Sequence, residues 1–156
     1  MFDHINPDEL GPPKGWTNGM LGPAGGRVLF VAGQDAANSE GVVTTDDFLE
    51  QFDLALRKTM AVLTRAGGDA TCIGRMTVFV TDLDAYRASR RDLGGIWREH
   101  MGKHFPAMAL VEVSRLVDPR GKVEIEATAV LPPETALPPE ADLSSEAATP
   151  RPESGT

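Results

Sequence analysis

The sequence predicts an α+β fold, a mixed β-sheet with two helices packed on one of its faces. Three observations carry that expectation: two long stretches place apolar residues at helical spacing, several shorter ones are β-rich or strictly alternating, and their order is strand, helix, strand, helix, strand, strand. A chain of 156 residues suits one domain. No internal repeat is present to suggest a solenoid or propeller.

The elements follow in order. Residues 1–14, MFDHINPDELGPPK, are acidic and Pro-rich and predict an irregular arm ahead of the domain, which spans residues 15–131. Arg27 to Gly33, RVLFVAG, is a β-rich run preceded by the turn-forming GPAGG and closed by a glycine, and reads as a strand. From Thr44 the period changes: Phe48, Phe52, Ala55, Thr59 and Leu63, joined by Leu49, Leu56 and Met60, form a helical stripe. Thr44 or Thr45 is placed to cap that helix, Asp46 and Asp47 suit its first turn, and Gly67 and Gly68 stop it.

CIGRMTVFVTD alternates, with Met76, Val78 and Val80 on one face and Arg75, Thr77 and Phe79 on the other, and predicts a strand buried on at least one side. DAYRASRRDLGGIWREHMGKHF returns to helical spacing through Tyr86, Leu93, Trp97 and Met101, with a bend expected at Gly94 and Gly95. Two strands follow, AMALVEVSRL and KVEIEATAVL, joined by a turn at VDPRG. In the second, Val123, Ile125, Ala127 and Ala129 alternate with Glu124, Glu126 and Thr128, so one face is apolar and the other carries carboxylates. Such a polar face is commonly solvated, and equally suits a subunit interface. Residues 132–156 are rich in Pro, Ser, Glu and Ala, with Arg151 alone against five acids, and predict a disordered, solvating tail.

Composition narrows the function classes. A net charge of −8 and no evident cluster of Lys and Arg argue against a nucleic-acid partner and leave a small molecule or a protein. No apolar run is long enough to span a bilayer, and the acidic start does not read as a secretory leader, so no membrane partner is expected. One cysteine, Cys72, excludes an internal disulfide and a cysteine-based zinc cage and fits a reducing compartment, here taken as the cytoplasm. No glycine-rich segment matches a phosphate loop or a dinucleotide motif, so no nucleotide cofactor is implied.

Few side chains are spaced for chemistry. His100 and His104 lie four apart, as a zinc pair on one helical face would, yet no third ligand is evident and helix C-terminal capping is the plainer reading. Glu124 and Glu126 project from the same side of one strand, which admits either a solvated pair or an acid/base site. Cys72 has no base beside it in the sequence to make it a nucleophile.

Taken together, VLFVAGQ, FDLALRKTMAVLTRAGG, MTVFVTDLDAY, HFPAMALVEVSRL and VEIEATAV, in that order and spacing, resemble the Rid/YjgF family of imine and enamine deaminases over about residues 15 to 131. The resemblance implies a chorismate-mutase-like fold assembled as a homotrimer, with clefts between subunits that bind small 2-imino or 2-enamino acids such as 2-aminoacrylate. Water then hydrolyses these to keto acid and ammonia without a cofactor. Carried over residue by residue, it assigns substrate binding to Gly33, Gln34 and Tyr86, and the catalytic carboxylate to Glu124. The family's early tyrosine falls near Thr17, with Trp16 adjacent. Where the family reads Pro-Ala-Arg, this chain reads Pro106-Ala107-Met108.

That exchange removes a guanidinium able to hold a substrate carboxylate through two charge-assisted hydrogen bonds, and puts a thioether in its place. The sequence therefore predicts weak or absent activity on 2-aminoacrylate. Two readings follow. One is a deaminase for a larger enamine, as in the family's 2-aminomuconate branch, with Met108 and Leu110 against its carbon skeleton and Arg90 or Arg91 as a replacement cation. The other is a non-catalytic ligand-binding or accessory trimer.

Overall fold

A computed structural model describes residues 1–133, so that nearly all of the expected tail lies outside the described residues. Eight regular elements build the fold: β1 (Asp3–Ile5), β2 (Gly19–Leu21), β3 (Arg27–Gln34), α1 (Phe48–Arg65), β4 (Ile73–Val80), α2 (Leu83–Met101), β5 (Ala107–Glu112) and β6 (Val123–Leu131). The main sheet has the order β3-β6-β4-β5, with β4 and β5 parallel and the other pairs antiparallel. It is the mixed sheet that the sequence predicts.

The central strand β6 alternates strictly. Val123, Ile125, Ala127, Ala129 and Leu131 are buried, while Glu124, Glu126, Thr128 and Val130 between them are half-exposed. Register extends this division to the neighbours: Val78 lies beside Ile125 and Leu110, and Phe79 beside Glu124 and Val111. Both helices cover the first side, burying Phe52, Leu56 and Leu63 of α1 and Leu93, Trp97 and Met101 of α2 in one core with Met76, Val78 and Ile125. Burial of each such side chain contributes roughly 1.5–3 kcal/mol. Among the described residues no helix covers the second face.

Helix α1 is capped by Asp47, whose carboxylate accepts from the Glu50 amide at 2.8 Å, and not by Thr44 or Thr45 as expected. Thr45 stands just outside the helix, accepting from the Asp47 amide and donating to Glu50. Asp outranks Thr as a cap, and two threonines before two aspartates leave the boundary ambiguous in sequence. Gln51 is fully buried: its amide nitrogen donates to Thr45 O and Arg120 O, and its amide oxygen accepts from the Lys122 amide at 2.6 Å. Arg120 in turn donates to both carboxylate oxygens of Asp46. The turn that launches β6 is thereby fastened to the start of α1.

Helix α2 starts at Asp82, whose side chain accepts from the Ala85 amide at 2.7 Å. It runs as one helix through Gly94 and Gly95, where a bend was expected. It stops at Gly102, which adopts a positive φ of 60°. His100 does not cap its C-terminus: the ring meets Asp53 of α1 at 2.7 Å, while His104 meets the carbonyl of Ile73. The two histidines hold different partners, and among the described residues no group of three or more His, Cys, Asp or Glu is placed to hold a metal.

Three further expectations are corrected. The first residues are not wholly irregular, because β1 pairs antiparallel with β2 and the Phe2 ring is buried over Gly74. A Cβ at Gly74 would lie 2.7 Å from that ring, so Phe2 finds its place through a missing side chain far along the chain. The strand AMALVEVSRL ends at Glu112 because β4, its only partner among the described residues, ends at Val80; the last bond runs from the Val113 amide to Val80 O. Lastly, the turn at VDPRG does not make a hairpin of the two strands it joins, β5 and β6, since β4 lies between them.

Gly95 supplies a direct check on the helix. A Cβ there meets nothing within 4 Å. Gly95→Ala should raise stability by roughly 0.5–1 kcal/mol, read as a higher urea midpoint at unchanged slope.

Candidate active site

The carboxylate of Glu124 stands on the uncovered sheet face, and the backbone makes room for it. β3 is irregular between Val31 and Gln34, and a Cβ built at Gly33 would lie 1.9 Å from Glu124 Oε1 and 2.9 Å from Cδ. Only glycine at position 33 leaves this volume to the acid. The Glu124 pKa is raised from its usual 4.5, first by partial burial and then by the nearby negative charges of Asp35 and Glu126. Glu126 is partly neutralised by Arg75, 3.5 Å away, and Asp35 by Lys58, also at 3.5 Å. Glu124 has neither a paired cation nor a hydrogen-bond donor among the described residues, a state suited to taking up and returning a proton.

Met108 and Leu110 occupy the other side of the sheet. Both are half-buried against the core, beside Met76 and Val78 in register. They line a cleft of about 350 Å³ between β5 and α2, together with Trp16, Tyr86, Arg90 and Trp97. A second and shallower groove of about 700 Å³ lies on the uncovered face, reaching Trp16, Thr17, Arg75 and again Met108. Glu124 lines neither.

The residues assigned from the sequence therefore fall into two groups. Trp16, Tyr86, Arg90, Met108 and Leu110 converge on the helix-side cleft; Gly33, Gln34 and Glu124 cluster at the β3–β6 bulge. Within one chain they are separated by the sheet. Thr17 belongs to neither group: it is buried at the entry to β5, its hydroxyl donating to Phe105 O at 2.7 Å and lying 3.3 Å from His4 Nδ1, and so ties the early loop to the approach of that strand. Arg91 lies outside the cleft that Arg90 lines.

Sequence reading missed several participants. Asp35 follows the Gly33-Gln34 pair directly, and its charge bears on Glu124. Arg75 was placed on the correct strand face but not connected to Glu126, which lies two positions along β6 from Arg75's register partner Thr128 and is separated from Arg75 in sequence by α2 and β5. Trp97 and Phe105 form a stacked pair, centroids 5.6 Å apart and planes 9° from parallel, which walls the cleft. The order of strands, invisible in the sequence, is what brings these groups together.

Comparison with known proteins bears on the family. The family model described as endoribonuclease L-PSP, which is that of the YjgF/Rid proteins, matches residues 10–131. The chain belongs to the Rid/YjgF family. It is 33% identical over 105 residues to a RutC family protein of Pasteurella multocida, covering 67% of this chain and 81% of that one. It is 29% identical over 111 residues to the human 2-iminobutanoate/2-iminopropanoate deaminase, covering 70% and 77%. Among solved structures, the Rid-family protein YyfB of Yersinia pestis, of unknown function, superposes with a TM-score of 0.72 at 29% identity over 83% of this chain and 98% of that one. No helix among the described residues is long and apolar enough to cross a membrane.

The raised Glu124 pKa has a sign that can be checked. Ionised Glu124 opposes folding, so the stability associated with its neutral form is complete below its ordinary pKa and is lost as pH rises through the elevated folded value. Glu124→Gln should therefore melt above the wild type at pH 7, and the difference should close as the pH is lowered past 4.5.

Proposed function

We propose that the protein is a cofactor-independent deaminase that hydrolyses a reactive imine or enamine to a carbonyl compound and ammonia, acting on a substrate larger than 2-aminoacrylate. One observation carries this reading: Glu124, the family's carboxylate, is retained in a gap that only Gly33 leaves open, with its pKa raised toward the range useful for proton transfer. The human relative's name, an iminobutanoate and iminopropanoate deaminase, supports the reaction class.

In this reading Glu124 accepts a proton from the attacking water as its oxygen bonds to the imine carbon, and the nitrogen takes up a proton. The resulting carbinolamine loses ammonia as its hydroxyl proton departs and the carbonyl forms. An enamine enters the same route once its β-carbon is protonated. A 2-aminomuconate-like substrate is compatible with the apolar surface that Met108 and Leu110 present.

The two groups of site residues are joined when a second copy sets its helix-side cleft against the Glu124 face of the first. Val28 and Phe30, 55% and 78% exposed on the uncovered face of β3, support such an interface, and the family resemblance supports a homotrimer. The single cysteine, half-buried and unpaired, suits work in a reducing cytoplasm. The second reading, a non-catalytic ligand-binding or accessory trimer, is favoured by Met108 itself, because a cleft without the arginine forfeits the usual carboxylate grip.

Ammonia release from imines generated in situ separates the readings. The expected result is little acceleration with 2-aminoacrylate, clear acceleration with a bulkier imine or enamine, and loss of at least about a hundredfold on Glu124→Ala, in line with the usual worth of an acid/base group. Met108→Arg should raise the rate on small 2-imino acids by about tenfold or more. No acceleration on any substrate by a protein that still binds ligand would favour the second reading. Light scattering should return three times the chain mass, and a monomer would remove the composite site.

A further inference from the structure

We propose that the helix-side cleft selects 2-imino acids carrying an aromatic or similarly flat apolar side chain, and that Arg90 is the cation that grips their carboxylate. This rests on the reading of that cleft as the substrate-binding half of a deaminase site.

The walls specify the body of the ligand. Trp97 and Phe105 lie stacked and nearly parallel, and His104 anchors the stack: its carbonyl accepts from the indole N–H at 3.1 Å, and its ring meets Ile73 O at 2.7 Å. Tyr86, Phe52 and Trp16 add three more rings to the lining, and Met108 adds a thioether, which packs favourably against aromatic faces. A flat apolar group finds partners here on several sides. A two- or three-carbon acid would leave most of the 350 Å³ unfilled while still losing water from its carboxylate.

The charges specify the other end. The lining holds two cations, Lys14 and Arg90, and no carboxylate. Arg90 lies one turn after Tyr86 and one turn before Gly94, so it shares the cleft-facing side of α2; Gly94 itself carries no side chain, and a Cβ there would lie 3.6 Å from Arg98 Nη1, whose residue does not line the cleft. Arg87 is already paired with Asp84 at 3.0 Å, and Arg91 does not line the cleft. No acidic side chain pairs with Arg90 among the described residues. Its planar fork matches a carboxylate through two parallel hydrogen bonds, which Lys14, a single point charge, does not. The guanidinium missing at position 108 is thus replaced from the opposite wall, and the space it would have filled is left to the substrate's side chain.

Both tryptophans of the chain, Trp16 and Trp97, line this cleft, so their fluorescence reports occupancy directly. The full-length protein would be titrated with three unreactive probes: phenylacetate, its uncharged amide, and acetate. Phenylacetate should bind at least about tenfold more tightly than either of the others, and Arg90→Gln should reduce it to the level of the amide, whereas Arg91→Gln should match the wild type. Unaltered phenylacetate affinity in Arg90→Gln, acetate binding as tightly as phenylacetate, or no response to phenylacetate would each overturn the proposal. Ammonia release from 2-imino-3-phenylpropanoate, formed in situ from phenylalanine by an amino-acid oxidase, keeps the two readings apart. Arg90-dependent phenylacetate binding with no accelerated hydrolysis of any imine leaves the anchor standing and removes the deaminase. Accelerated hydrolysis with a KM unchanged in Arg90→Gln removes the anchor and leaves the deaminase.

Discussion

The two-residue period of β6 is the constraint on which the rest of the molecule depends. This strand is hydrogen-bonded on both edges, to β3 and to β4, so its register decides which side chains of three strands face the helices. A slip of one residue would drive Glu124 and Glu126 into the core and expel Ile125 and Ala127. The register is therefore pinned from outside the strand. Gln51 holds the main chain of Arg120 and Lys122, Arg120 grips Asp46, and Asp118 accepts from the amides of Val43 and Arg120. These contacts fasten the entry to β6 to the segment around the start of α1, and a buried glutamine with three good hydrogen bonds is rigid in a way an apolar residue there would not be.

Much of this was legible in sequence because it follows from period alone. The stripe from Phe48 to Leu63 and the alternation from Val123 to Ala129 each state a burial pattern that the structure reproduces. What was not legible depends on partners distant in the chain. The Asp3–Ile5 strand is too short to show a period, and it exists because Gly19–Leu21 returns alongside it and Gly74 leaves space for Phe2. The parallel pairing of β4 with β5 is set by the α2 crossover, so adjacency in sequence misleads about β5 and β6. The helix glycines Gly94 and Gly95 weaken local propensity, but packing of Leu93 and Trp97 on either side overrides it.

The candidate site divides along the same line. Glu124 and Met108 were singled out through the family resemblance, yet only the register shows that they stand on opposite faces of one sheet. The choice between Arg90 and Arg91 turns on a single residue of helical rotation relative to Tyr86, which sequence spacing contains but cannot orient without the cleft. Asp35 and the Trp97–Phe105 pair acquire meaning only as surroundings, one electrostatic and one steric.

The gap at Gly33 has a further consequence. Positions 33 and 124 compete for one volume, so a side chain at the first and the acid in its present pose at the second exclude each other. A lineage that abandoned the acid would lose the steric reason to keep position 33 bare, and drift there would go unopposed by this contact. The empty Cβ position thus works as a memory of the carboxylate, and in this chain it has not been overwritten.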